Sequence, residues 1–185
     1  MMNLKLNYNL DAEDYLNYQL FTASQSKNIR NKRKRNRVIP AIVFFVLGII
    51  IPGFDFTETF TLIYISISVL WIFVYPIWDK RLYINHYKKH ISENYQNNFD
   101  KNVEVILSTE EVFMKDGSSE SKINLVELQE INEVPNAFYL KLKSSQSIIL
   151  PKNKIGNLNE VKDILNIIKD KYSVKYNEFP DWKWK

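Results

Sequence analysis

Uncharged side chains fill the 20-residue stretch TFTLIYISISVLWIFVYPIW, Thr59–Trp78. A second uncharged run of 17 residues, Val38–Phe54, comes shortly before it. At ~1.5 Å of rise per residue, helices over these runs would be about 30 and 26 Å long, against a hydrocarbon core of about 30 Å. Apolar residues occur on every side of both helices, whereas a surface helix of a soluble protein has one apolar face. The two runs therefore predict a transmembrane helical hairpin, residues 38–78.

Basic residues flank the predicted hairpin. Lys27–Arg37 carries seven positive charges and no negative charge, so subtracting them from the net charge of +4 leaves the rest of the chain at −3. The connection between the runs holds only acids, Asp55 and Glu58. Because basic flanks stay on the cytoplasmic side, we expect a multi-pass inner-membrane protein with both termini in the cytoplasm. The flanking cations are Lys27, Arg30, Lys32, Arg33, Lys34, Arg35, Arg37, Lys80 and Arg81, and the predicted interfacial aromatic residues are Tyr75 and Trp78.

The basic run also indicates a class of partner. Clusters of Lys and Arg can neutralise the phosphates of nucleic acids, but KNIRNKRKRNR contains no aromatic residue and no recognised reading motif. Its position directly before a membrane helix favours contact with anionic lipid headgroups instead. The sequence therefore predicts a bilayer with anionic headgroups as a partner, and no nucleic acid.

The polar parts of the chain predict one cytoplasmic domain that the hairpin interrupts. Alternating apolar residues predict a strand at 4–10, and Asp11 is the predicted N-cap of the helix that follows. Helical character continues over Asp79–Phe99, after which the apolar period becomes two. Short strands are predicted at 103–107, 112–114, 121–125, 129–134, 137–143 and 146–150. An amphipathic helix after Pro151 completes an α+β layout, and the predicted divisions are 1–37, 38–78 (helices about 38–54 and 59–78) and 79–185.

Three segments of this C-terminal half resemble the YcxB-like family of bacterial membrane proteins. They are Gln129–Glu133, Phe138–Leu140 and Ile148–Lys152. The resemblance implies an N-terminal strand and helix, two adjacent transmembrane helices, and a C-terminal domain similar to a pleckstrin-homology (PH) fold. The predicted fold class is therefore α+β, with a transmembrane hairpin inserted in a PH-like antiparallel sheet domain that has a C-terminal helix. The resemblance implies no chemistry.

Few side chains indicate a reaction. The chain has no cysteine, which excludes disulfides and thiolate-bound metals. His86, His90 and Glu93 would share one helix face, but they are too few for a metal site without ligands from elsewhere. The acidic residues of Glu127–Glu133 have no sign of burial and predict a solvated surface. No phosphate-binding glycine loop or nucleophile motif is present, and we expect no enzyme activity, metal or cofactor.

Two functional hypotheses follow. The first is a non-enzymatic inner-membrane protein that presents a PH-like binding domain at the cytoplasmic face to a protein or lipid-headgroup partner. The second is an immunity or defence protein that protects against a membrane-acting toxin or bacteriocin. Small residues in the helices, including Gly48 and Ser68, are compatible with a homo-oligomer and equally with packing inside one chain. The aromatic tail Phe179–Lys185 is compatible with docking on the domain or the membrane interface, and with binding a partner.

Overall fold

The computed structural model describes residues 3–51, 53, 59–99, 101–116 and 119–185. Within them the helices are α1 (Ala12–Gln25), α2 (Lys27–Ile50), α3 (Thr59–Asn94) and α4 (Leu158–Tyr172). The strands are β1 (Asn3–Asn9), β2 (Asn102–Ser108), β3 (Glu111–Asp116), β4 (Ser119–Asn124), β5 (Leu128–Glu133), β6 (Ala137–Leu142), β7 (Ser147–Pro151) and β8 (Lys175–Glu178). Short 3-10 helices occupy Gln96–Asn98 and Leu125–Glu127. The predicted α+β class is confirmed.

The chain divides into two compact units. The sheet unit comprises Met1–Tyr18 and Ile91–Lys183. The helix unit comprises Gln19–His90 and Trp184–Lys185. The helix unit is larger than the predicted hairpin, 38–78. The reason is that α2 begins at Lys27, before the first uncharged run, and α3 continues to Asn94, beyond the second.

The sheet unit contains two four-stranded sheets, with strand orders β1-β2-β3-β4 and β7-β6-β5-β8. β1 is antiparallel to β2, with Leu6 opposite Val105, which confirms that the N-terminal strand joins strands from the C-terminal half. The pairing of β8 with β5 is parallel, unlike the other pairs. The sequence did not predict β8, since its four residues, KYNE, include only one apolar side chain.

Strand alternation and one helix face build the core of the sheet unit. In β2, Val103, Val105 and Leu107 are buried, whereas Glu104 and Ile106 between them are partly exposed. The apolar face of α4 packs into the same cluster, and each fully buried aliphatic side chain contributes ~1.5–3 kcal/mol. Fully enclosed members of this core include Val105, Leu107, Val112, Ile131, Phe138, Leu140, Leu150, Val161, Ile164, Leu165 and Ile168.

Short sequence signals define the ends of several elements, and the predicted N-cap of α1 is confirmed. Asp11 Oδ1 accepts hydrogen bonds from the backbone N–H groups of Glu13 and Asp14, at 2.8 and 2.9 Å, and so caps α1. Ser145 has a φ of 70° in the tight turn between β6 and β7. The dipeptide Asp116–Gly117 also predicts a turn after β3, but Gly117 lies outside the described residues, as does the predicted acidic connection, Asp55–Glu58.

The helix unit contains the basic run and the apolar helix. Ser26 Oγ accepts from the backbone N–H of Ile29 and caps α2, so that Lys27–Arg37 forms its first three turns. Among the described helices, only α3 is long and apolar enough to cross a membrane: it has 36 residues, and the mean hydropathy of its 18-residue window is 2.0. Only 17% of that window is buried. The protein therefore does not enclose this helix as it would a core helix.

Candidate functional site

Small residues bring α2 and α3 into close antiparallel contact. Thr61 Oγ1 donates to the carbonyl oxygen of Gly48 at 2.9 Å, and Ser68 Oγ donates to that of Ala41 at 2.8 Å. The two acceptors, Gly48 and Ala41, are seven residues apart in α2, and the two donors, Thr61 and Ser68, are seven residues apart in α3. Seven residues are about two helical turns, so the two residues of each helix lie on the same face. A Cβ atom on Gly48 would lie 2.8 Å from the Cβ of Tyr64, so the helices can approach this closely only at glycine. Gly48 and Ser68 therefore serve packing within one chain.

A proline in α3 leaves a carbonyl that α2 satisfies. Pro76 has no N–H, so the carbonyl oxygen of Ile72, four residues earlier, loses its helical hydrogen bond. Arg37 Nε donates to this oxygen at 3.0 Å. An unsatisfied carbonyl would be costly in hydrocarbon. Arg37, which the sequence predicts only as a flanking charge, is thus also a backbone donor to the neighbouring helix.

The reverse arrangement occurs at the proline of α2. Pro40 frees the carbonyl oxygen of Asn36, and Trp71 Nε1 from α3 donates to it at 3.4 Å, a long and therefore weak hydrogen bond. Each helix thus supplies the donor that the proline of the other helix removes.

An ion pair lies near the same end of the helix pair. Asp79 is only 3% exposed. Its Oδ2 accepts from Arg33 Nε, and its Oδ1 accepts from Tyr75 Oη at 3.0 Å. Both carboxylate oxygens are hydrogen-bonded and the negative charge is matched, which is the condition for burying a carboxylate without a large desolvation cost.

The C-terminal tail also reaches this ion pair. The Trp184 ring is 7% exposed and lies 4.5 Å from the guanidinium carbon of Arg33, and its centroid is 5.6 Å from that of Tyr83. Arg33 Nη2 donates to the carbonyl oxygen of Lys185 at 2.8 Å. Trp184 Nε1 is buried and has no hydrogen-bond partner within the described part of the chain. Arg33 is therefore held by a carboxylate, an indole face and a backbone carbonyl.

Two grooves flank the α2–α3 contact. The first groove has a volume of about 540 Å³ and has Arg33, Lys34 and Arg37 at one end and Phe45 at the other. The second groove has a volume of about 610 Å³ and is lined by Lys32 and Arg35, among others. In both, cations at one end lead into an apolar channel. Such a surface can hold an anionic group and an apolar chain together.

The remaining predicted site residues take varied positions. Arg30 Nη1 donates to the carbonyl oxygens of Ser24 and Gln25 at the end of α1, at 3.1 and 3.0 Å. The predicted interfacial residues differ, because Tyr75 is 6% exposed and Trp78 is 54% exposed. Four of the predicted flanking cations are exposed and line neither groove: Lys27, Arg30, Lys80 and Arg81.

Glu133, an acidic residue of the sheet unit, is not solvated as the sequence predicts. The Glu133 side chain is 14% exposed and accepts from Lys152 Nζ at 2.7 Å and from Tyr176 Oη at 2.6 Å, while Lys162 Nζ lies 2.8 Å away. Burial alone would raise the pKa of Glu133, but these three donors lower it to about 2. The prediction was wrong because the three donors are far away in sequence: Lys152 follows β7, Lys162 lies in α4 and Tyr176 lies in β8.

The predicted metal-ligand candidates form no centre. No group of three His, Asp or Glu side chains in the described ranges could hold a metal ion. His86 instead contributes to the second groove and lies with its ring centroid 5.3 Å from that of Tyr87.

Comparison with protein families supports one part of the chain. Residues 107–168 match the family model described as YcxB-like protein, which confirms the resemblance predicted from the sequence for this segment. The match begins in β2 and ends in α4, within the sheet unit. Neither the curated proteins nor the solved structures include a significant match.

Proposed function

We propose that this chain is a non-enzymatic integral protein of the inner membrane, which spans the bilayer with α2 and α3 and presents the sheet unit in the cytoplasm to a protein or lipid-headgroup partner. The observation that supports membrane insertion most directly is the exposed apolar surface of α2 and α3. Of the 23 large hydrophobic residues exposed in the described part of the chain, 21 lie between Val38 and Leu82. Contiguous apolar surface of this extent is rare on soluble monomers. A bilayer would cover it.

Sheet pairing supports two crossings. β1 precedes α2 and α3 in the chain, and β2 follows them, yet the two strands are hydrogen-bonded neighbours. Both strands must therefore be on one side of the bilayer, which requires an even number of crossings between them. If α3 crosses, α2 has to cross as well, although its uncharged run of about 26 Å is the shorter one.

Charge supports the cytoplasmic orientation. The seven cations of Lys27–Arg37 occupy the start of α2, and Lys80 and Arg81 follow the apolar part of α3. Because the helices are antiparallel, both groups belong to the same end of the pair. The positive-inside rule places that end in the cytoplasm, together with the sheet unit.

Topology and integration can be tested with two measurements on the full chain. Green fluorescent protein fused to the C-terminus should fluoresce, and alkaline phosphatase at the same place should be inactive, because each works on only one side of the membrane. The chain should also resist extraction of membranes by alkaline carbonate. High phosphatase activity would contradict the orientation, and release by carbonate would contradict integration.

The partner of the sheet unit can be sought by crosslinking in intact membranes. The YcxB-like match covers residues 107–168, so the sheet unit contains the part of the chain that a family model matches. Crosslinking should retain a protein, or anionic lipid, specifically with the sheet unit. Absence of any specific adduct in either class would argue against a binding role.

The second hypothesis, toxin immunity, stays a prediction that no described contact favours. It predicts that expression of the chain protects cells from a membrane-acting toxin encoded beside it. Equal killing with and without the chain would remove this hypothesis.

A further inference from the structure

The first groove has the length of a lipid chain. Its α2 wall extends from Arg33 to Phe45, a separation of twelve residues or ~18 Å of helix rise, slightly more than half of a hydrocarbon core of about 30 Å. The hydrogen bond from Ser68 to the Ala41 carbonyl lies beside the groove and leaves both groups satisfied. An acyl chain could therefore lie here without desolvating an unpaired polar group.

The basic end of the groove has positive charge that the protein does not neutralise. Asp79 also borders the groove, but Arg33 and Tyr75 occupy its two oxygens. Lys34 is exposed and makes no ion pair with any carboxylate that the structure describes. Arg37 uses only Nε for the Ile72 carbonyl, which leaves its terminal N–H groups for a ligand. These two cations match one phosphodiester.

The proline in α3 fixes one of these cations in place. Because Pro76 frees the Ile72 carbonyl, Arg37 has a partner that holds its guanidinium beside the apolar channel. Preorganisation of this kind lowers the entropy cost of binding. In the second groove, the cations Lys32 and Arg35 make no hydrogen bond within the described residues that would fix them in this way.

We propose that the first groove binds one anionic glycerophospholipid, with its phosphate at Lys34 and Arg37 and one acyl chain along Ala41, Ile42 and Phe45. This inference rests on the proposed insertion of α2 and α3 in the bilayer. It is independent of any partner of the sheet unit. The basic run then has two roles: it orients the helix pair in the membrane, and it binds one lipid molecule at a defined site.

Native mass spectrometry of the full chain can test the site, using equimolar phosphatidylglycerol and phosphatidylcholine with identical acyl chains. The first retained lipid should be phosphatidylglycerol, with a preference of roughly fivefold or more. Lys34→Ala should lower this preference about fivefold, as expected for loss of one cation near an anionic headgroup. Lys32→Ala is the matched control, since it removes the same charge from the same helix at the other groove.

A second pair of variants tests the acyl channel. Ile42→Trp would fill the groove and should abolish retention of the first lipid, while Val43→Trp, at a residue that lines neither groove, should not. Ile42 and Val43 are 55% and 48% exposed, so neither substitution disturbs a packed core.

The outcomes separate the site from the fold of the helix pair. Equal retention of both lipids, or equal effects of Lys32→Ala and Lys34→Ala, would overturn the proposal in favour of a diffuse basic surface. Unchanged retention in Ile42→Trp would also overturn it. Alkaline carbonate extraction of membranes from the expressing cells distinguishes failure of the lipid site from failure of the proposed membrane insertion. Release of the chain by carbonate refutes insertion. A chain that resists extraction and shows no lipid preference refutes only the lipid site in the groove.

Discussion

Loss of Arg37 should destabilise the α2–α3 contact only while Pro76 is present. Ile72 is 37% exposed in the protein itself, and the proposed bilayer would cover it. Arg37→Ala leaves the Ile72 carbonyl without a donor, and in hydrocarbon an unsatisfied acceptor costs ~1–3 kcal/mol. Pro76→Ala restores an N–H four residues after Ile72, so the carbonyl regains its helical bond and no longer needs Arg37. We therefore expect Arg37→Ala to cost less than about 0.5 kcal/mol in the Pro76→Ala background, typical of a surface change.

Cysteine labelling can measure this coupling locally. The chain has no native cysteine, and Ala41 is 4% exposed in the α2–α3 contact, so Ala41→Cys provides one buried thiol. Its labelling rate with a membrane-permeant maleimide in detergent micelles reports the opening of the helix pair. In the Ala41→Cys protein, Arg37→Ala should raise this rate about 5- to 150-fold, from the ~1–3 kcal/mol above.

A matched control and a clear refutation complete the experiment. Arg35→Ala removes the same charge from the same helix and should change the labelling rate less than about threefold. The reasoning is refuted if Arg37→Ala raises the rate equally with and without Pro76→Ala, because the effect would then not depend on the carbonyl that the proline frees.

Three further results are expected. Gly48→Ala should raise the same labelling rate, because the added Cβ would lie 2.8 Å from that of Tyr64 and overpacking costs ~1–3 kcal/mol; Ser66→Ala, at an exposed position, should not. The pKa of Glu133 in the folded protein, about 2, lies below its ordinary value of 4.5. The ionised Glu133 therefore stabilises the folded protein above pH 4.5, and this stabilisation is lost as the pH falls toward 2. The free energy of unfolding, measured by circular dichroism, should therefore fall by about 1–2 kcal/mol over this range, allowing for solvent screening, and Glu133→Gln should flatten this dependence. Trp184→Ala should increase proteolysis of the tail, whereas Trp184→Phe should not, because it keeps the ring over Arg33 and removes an N–H that has no partner in the described structure.

Local sequence patterns predicted most of the fold, whereas the errors concern contacts between segments that are distant in the sequence. Period-two alternation located β2, since burial alternates along a strand that has one face on a core. β8, Lys175–Glu178, is stabilised by parallel pairing with β5, and its own sequence has no strand pattern. The burial of Glu133 likewise depends on Lys152, which lies 19 residues away in the chain.

The candidate site was predictable in composition and not in geometry. The cations before the first apolar run were identified from sequence. Pro76, near the end of the second run, is itself a sequence signal for a local bend of the helix. That Pro76 frees the Ile72 carbonyl follows from helix geometry alone. Which side chain satisfies it depends on the register between two helices, and a single sequence does not specify this register.

The pairing of β1 with β2 has a consequence for the order of events during synthesis. Asn9 pairs with Asn102, so 93 residues must be made before the first strand meets its neighbour. At ~5–20 residues per second, a ribosome needs ~5–20 s for that interval. Throughout it, a seven-residue strand has an unpaired edge, but Lys5 on this strand makes edge-to-edge association with another nascent chain unfavourable. A delay in translation between α3 and β2 would lengthen the exposure of that edge without changing the final structure.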